Sequence, residues 1–488
     1  MEEQSLEAGL LKNSKSTTYQ NGESSSSDFS LERTTCSVTP GILLSTFVAV
    51  CGSFSFGCSV SLISILMGYS SPAQSGITRD LNLSLQQYSF FSSVMTFGGM
   101  ISAVFSGKIA SLIGRKRTMC FSEIFCTMGW LGVAFAEDEL LLNVGRFFLG
   151  FGVGFISYVI PVYIAETTPK NIRGSFTFTN QLMQTFGFSF VFLIGNVVNW
   201  RTLALISAIP CGMQVIGLFF IPESPRWLAE VGKQKELEAA LHGLRGKNAD
   251  ISQEAAEITE IAETFRRESK SGILSLFQRR YAHSLIVGVG LMFLQQFGGS
   301  SAVTSYASSI FDDAEFSSDV GSTMLAILMI PKTLVVLLLV DKWGRRPLLM
   351  ISAVGMCLFC FLLGLAFWLQ AMKHLEELTS ILAFTSVLGY LIAFAIGMGG
   401  LPWLIMSEIY PIHIKVPAGT LVTMSNWFFG WIVVYTFNFM LKWSSSGTFF
   451  VFSGICGATI MFVWMLVPET KGRTLEEIQA SFSDFQLT

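Results

Sequence analysis

Six residues with polar side-chain groups stand inside long apolar runs: Gln181, Gln184, Gln295, Gln296, Trp403 and Asn426. Side-chain amides offer paired donors and acceptors, and an indole offers a flat apolar face with one N–H. Such a set suits a polyhydroxylated molecule such as a sugar. Gln295 and Gln296 lie about 12 residues into the apolar run 284–308, about 18 Å along a helix axis. A polar group at that depth is costly unless it faces a partner or a water-filled cavity, so hydrogen bonding between helices is the alternative reading. Lys332 follows Pro331, nine residues before Asp341, about 13 Å inside the cytosolic edge. It must face a cavity, find a partner or lose its proton, and a cavity role in binding or coupling is expected. Other chemistries find little support. The four His (His242, His283, His374, His413) are dispersed, and Cys357-x-x-Cys360 has neither a second pair nor a nearby His, so neither a metal centre nor a cofactor is expected. The Gly150-x-Gly-x-Gly154 run follows no strand and reads as helix packing. A net charge of −3 gives no general attraction to nucleic acid.

The elements that must hold these groups are membrane helices. Of 488 residues, 51% are hydrophobic and 13% charged, about half the usual charge of a soluble chain. A span needs about 20 mostly apolar residues. Runs of that kind lie near 41–67, 86–106, 118–136, 140–164, 176–198, 202–221, 284–308, 320–340, 347–369, 380–406, 418–440 and 447–467, which predicts twelve. With both termini cytosolic, 25 of the 31 basic residues fall on the cytosolic side, as the positive-inside rule requires. The domain reading is a polar tail over 1–39, a six-helix bundle over 40–229, a cytosolic linker over 230–282, a second bundle over 283–468, and a tail over 469–488. Two amphipathic stretches in the linker, Lys233–Leu244 and Ile251–Phe265, are expected along the membrane surface.

The bundles repeat weakly. Gly114-Arg115 returns as Gly344-Arg345-Arg346, Glu166 as Glu408, and Pro222-Glu223-Ser-Pro-Arg226 as Pro468-Glu469, displaced by 230, 242 and 246 residues. Three matches in order point to a duplicated six-helix unit. Each motif sets carboxylates and cations on one face. Glu166, Glu223, Glu408 and Glu469 can pair with Arg115, Arg173, Arg226, Arg345 and Arg346, with Asp341 beside the second turn. Such pairs are expected to hold the halves together while the cytosolic side is shut and to break as they rock. Fixing topology and capping helices is the plainer alternative.

These motifs resemble those of the sugar porter family of the major facilitator superfamily, over residues from about 40 to 480. Its specific elements are Pro161-Val-Tyr-Ile-Ala-Glu166, Pro222-Glu-Ser-Pro-Arg-Trp227, Gln295-Gln296 with Gly298-Gly299, and Pro468-Glu-Thr-Lys-Gly-Arg-Thr474. Gly68-Tyr-Ser-Ser-Pro-Ala-Gln74 and Tyr306-Ala-Ser-Ser-Ile310 are similar to the plant early-responsive-to-dehydration branch. The resemblance implies an all-α major facilitator fold working as a monomeric transport unit for a monosaccharide such as glucose or fructose. It puts sugar contacts at Gln181, Gln295, Gln296, Trp403 and Asn426, with Ser301 where many relatives carry Asn. Ala395 stands where some carry Glu, and Ser111 replaces an Asp. Ser61–Met67 reads as an insertion of about two turns. In proton-coupled relatives an Asp occupies the first span, whereas Phe56–Ser59 has no acid. Glu123 is expected to snorkel to the cytosolic edge, and Arg146 to pair or cap. Facilitated diffusion is thus expected, with proton symport or a non-transporting sugar sensor as alternatives. Leu6-Glu-Ala-Gly-Leu10-Leu11 resembles an adaptor-read dileucine address, which in that branch directs proteins to the vacuolar membrane.

Overall fold

The computed structural model of the chain describes residues 38–59, 69–169, 172–246, 249–268, 281–305, 343–372, 376–410 and 412–470, together with 278, 310, 317, 320, 321, 323, 324, 327–331, 333 and 334. The dileucine signal, Ser61–Met67, Lys332, Asp341 and the tail from Lys471 lie outside the described residues. Every regular element among those described is helical.

The first half comprises α1 (Pro40–Ser59), α2 (Ser70–Asp80), α3 (Leu85–Ile113), α4 (Arg115–Ala134), α5 (Glu139–Thr167), α6 (Arg173–Gly195) and α7 (Trp200–Leu218). Three short helices follow: α8 (Pro225–Val231), α9 (Gln234–Arg245) and α10 (Ser252–Glu268). The second half comprises α11 (Ala282–Phe297), α12 (Ser300–Ser305), α13 (Arg345–Ala371), α14 (Glu376–Ile396), α15 (Leu401–Ile409), α16 (Ile412–Trp443) and α17 (Ser445–Leu466). Among the described residues, eight helical stretches are long and apolar enough to cross a membrane. They include Ala282–Val303 and Thr379–Met406, each running through a glycine-rich break.

Short polar residues start several of these helices. Ser84 caps α3 in a reciprocal box with Gln87, Asp138 caps α5, Asn199 caps α7 and Ser444 caps α17. Each supplies an oxygen to one of the N–H groups left over at a helix start. Two predicted spans are each built from two helices. The seventh breaks at Gly298-Gly299, where Gly299 has φ +93° and packs against Phe452. The tenth breaks between α14 and α15.

The linker helices pack on protein with part of their apolar surface. Leu237 and Leu241 of α9, Ile251 just before α10, and Ala255 of α10 cluster with Trp227 and Leu228 of α8. The assembly docks on the first half. Thr39 Oγ1 donates to the Leu244 carbonyl, and Arg245 Nη1 donates to the Thr167 carbonyl at 2.9 Å. A Cβ added to Gly41 would lie 2.1 Å from the Gly243 carbonyl oxygen.

Candidate functional site: a polar centre between two braced halves

The breaks in α11–α12 and α14–α15 explain how Gln295 is held. Where a helix stops inside an apolar layer, its carbonyls lose their partners. Gln295 Nε2 donates to the Met398 and Gly399 carbonyls at the α14–α15 break, and Ser352 Oγ accepts from Met398 N–H at 2.9 Å. Gln295 Oε1 accepts from Asn426 Nδ2 at 2.8 Å. Thus Gln295 and Asn426 are brought together, and they tie α11, α16 and the α14–α15 break. Gln296 differs. Its Oε1 accepts from the Ser301 hydroxyl, while its Nε2 has no partner among the described residues.

In the first half, Gln181 is half-buried on α6 and its Nε2 has no partner among the described residues; nor has Gln184 Oε1. Gln184 Nε2 reaches Asn180 Oδ1 at 3.5 Å, which also accepts from Ser53 Oγ at 2.6 Å. Asn180 and Ser53 were not singled out from sequence. The signal for Asn180 was its spacing, one helical turn before Gln184. Trp403 is half-buried on α15 and packs on the core. The halves meet through Thr185 and Thr333 hydroxyls at 3.2 Å, Asn196 Nδ2 to Thr323 Oγ1 at 3.1 Å, and Asn438 Nδ2 to Ser89 Oγ at 2.9 Å. Trp427 lies against Gly99, where a Cβ would sit 2.6 Å from its ring. These contacts run from mid-helix towards the face opposite the Gly-Arg turns.

At the Gly-Arg turns the two halves repeat one design. Arg115 makes two parallel bonds of 2.9 Å to Glu166, and Glu223 accepts from the Arg115 and Lys116 N–H groups at 3.0 Å, capping α4. Likewise Arg345 Nη2 donates to Glu408 at 3.0 Å, and Glu469 accepts from the Arg345 and Arg346 N–H groups at 3.0 Å, capping α13. Gly114 and Gly344 enter these helices at φ +96° and +87°, a conformation that favours glycine. Glu223 is pushed above the ordinary carboxylate range by burial, against the pull of its backbone N–H partners. Arg226 interacts with Glu230, while Arg173 faces Arg226 and its Nε has no partner among the described residues. Pairs spanning the halves were expected for the state in which this face is shut, whereas here the halves are joined towards the opposite face. Each of these carboxylate contacts lies within its own half.

Two charged residues lie buried in the apolar layer. Arg146 is fully buried, donates to Ser70 Oγ at 2.6 Å, and lies over the Tyr69 and Phe91 rings at 4.9 and 4.6 Å. No described carboxylate pairs with it. Glu123 does not snorkel: it is 0% exposed, beside the Cys211 thiol.

Comparisons with known proteins bear on the family and the fold. The family model described as "Sugar (and other) transporter" matches residues 36–482. The chain is 59% identical over 450 residues to Sugar transporter ERD6-like 2 of Arabidopsis thaliana, covering 92% of this chain and 96% of that one. It is 49% identical over 482 residues to Sugar transporter ERD6-like 11 of the same plant, covering 99% and 98%. Among solved structures, the inward-open xylose transporter XylE from E. coli superposes with a TM-score of 0.76 at 26% identity, over 90% of this chain and 99% of that one. The proton:xylose symporter XylE bound to 6-bromo-6-deoxy-D-glucose gives 0.72 at 27% identity, over 90% and 99%.

Proposed function

Because the chain belongs to the sugar transporter family, a group of multi-pass membrane proteins with the major facilitator fold, we propose that it carries a monosaccharide, and specifically a hexose, by alternating access without proton coupling. The observation that carries the substrate reading is the division of labour at Gln295-Gln296. One amide is consumed in holding the broken helices, and its neighbour keeps a donor without a partner among the described residues. Gln181 and Gln184 supply the matching open groups from the other half. Trp403, Asn426 and Ser301 complete the proposed site, and Lys332 is proposed to face the same cavity.

The uncoupled mode is supported by Arg146. In a layer where ionisable groups mark ion pathways, this arginine is held by a hydroxyl, the Met95 sulfur and two aromatic faces. A second reading, proton symport, is favoured by the buried Glu123. The Arg115–Glu166–Glu223 and Arg345–Glu408–Glu469 clusters, with Arg173, Arg226, Arg346 and Asp341, are proposed to brace the cytosolic gate from within each half. The proposed location is the vacuolar membrane, addressed through Leu6–Leu11, and the proposed working unit is a monomer. Labelled glucose and fructose uptake in hexose-transport-deficient yeast tests the reading. Uptake that persists with a protonophore is expected; uptake abolished by it selects symport, and none for either sugar at a verified membrane location selects a sensor.

A further inference from the structure

The joined face opposite the Gly-Arg turns holds a cavity of about 890 Å³ that spans the halves. Its first-half wall carries Gln74 of α2 and Leu85 of α3; its second-half wall carries Phe367 and Gln370 of α13, Asn438 of α16, and Ser446 of α17. Asn438 also donates to Ser89, one helical turn below Leu85, so the cavity lies directly over a contact that joins the halves. Its chemistry is that of a carbohydrate pocket: amides on opposing walls, hydroxyls at a helix start, and a phenyl ring for stacking. Lys442 is the charged group in the lining, which does not suit a cation. The volume falls in the usual small-molecule range of roughly 300–1,000 Å³ and exceeds what a single hexose fills. No lining residue belongs to the proposed mid-membrane site.

We propose that this cavity is a second carbohydrate site, taking an oligosaccharide too large to be carried, and that its occupant holds the halves together at this face. A ligand touching both walls binds the joined arrangement better than the parted one, and shifts the equilibrium by that difference in affinity. Bound there, it slows cycling without displacing the carried sugar. The inference rests on the transport reading above.

The test uses the full chain in liposomes, with labelled glucose or xylose as carried sugar and cellobiose on both sides, so that orientation does not matter. Cellobiose should lower the maximal rate about threefold or more while moving KM less than about twofold. Gln74→Leu and Gln370→Leu should each raise the cellobiose concentration required by about fivefold or more, with uptake in its absence unchanged within about twofold. A rise in KM at constant maximal rate, equal inhibition of both variants, or no inhibition overturns the inference and leaves the transport reading standing. A wild-type protein that carries neither sugar overturns the transport reading, and this inference with it.

Discussion

Asn426 donates to Gln295 at 2.8 Å, and with that bond every polar atom of the Gln295 amide is engaged in holding broken helices. Gln295→Ala therefore leaves the Asn426 donor and two carbonyls short of a partner, at about 1–3 kcal/mol for each group left unmet. Gln296→Ala removes a donor that has no partner among the described residues and frees only the Ser301 hydroxyl. Thermal unfolding with uptake kinetics should separate them: a large fall in Tm for Gln295→Ala, and a raised KM with a smaller fall in Tm for Gln296→Ala. Equal falls in Tm would refute the division.

Arg146 relies on Ser70 as its hydroxyl partner. Ser70→Ala leaves the guanidinium with the Met95 sulfur and two aromatic faces and should cost about 1.5–3 kcal/mol, the range for a hydrogen bond to a charged group. Uptake should stay insensitive to pH in this variant. A new pH dependence would show that Ser70 and Arg146 belong to a proton path.

Glu223 gives a pH effect whose sign can be worked out. Its folded-state affinity for a proton is raised by burial, so the folded chain binds that proton more tightly than the unfolded chain. Protonation then favours folding. This contribution is present at low pH and is lost as pH rises from the ordinary value of about 4.5 through the folded value. Glu223→Gln should flatten that part of the Tm profile. A profile that keeps its slope argues that other carboxylates set it.

Gly41 and Gly243 let α1 and α9 touch. Gly41→Val places carbon against the Gly243 carbonyl, so the linker assembly must shift or detach, at a cost of about 1–3 kcal/mol for overpacking. Limited proteolysis should cut residues 234–268 faster in this variant. Unchanged cleavage would mean that the Thr39 and Arg245 contacts hold the linker unaided.

Glu123→Gln keeps shape and removes charge. Because the carboxyl is fully buried, and an unpaired buried charge is costly, the variant should unfold at the same or a higher temperature while uptake continues. Loss of uptake with intact folding would instead support proton coupling through Glu123.

Much of the plan was legible because the bilayer imposes it. Length and hydropathy located the runs that become α1, α3, α5, α13 and α17, and the ordered Gly-Arg, Glu and Pro-Glu matches foretold two like turns. What stayed hidden depends on partners distant in sequence. Nothing local says that Arg115 closes on Glu166 rather than across to the second half, or that Arg146 finds a serine 76 residues earlier. The docking of the linker on α8 was hidden for a related reason: an amphipathic pattern reports that a face must be covered, and is silent on whether lipid or protein covers it.

Arg115, Glu166, Glu223 and Glu230, which lock the first half at the Gly-Arg turn, have all been synthesised before Ala282 begins the second. Domains tend to fold as units during synthesis, the N-terminal one first. A nascent chain can thus set its first bundle while the ribosome is still translating the linker, and residues 1–250 and 270–488 supplied as separate polypeptides should reassemble in the membrane.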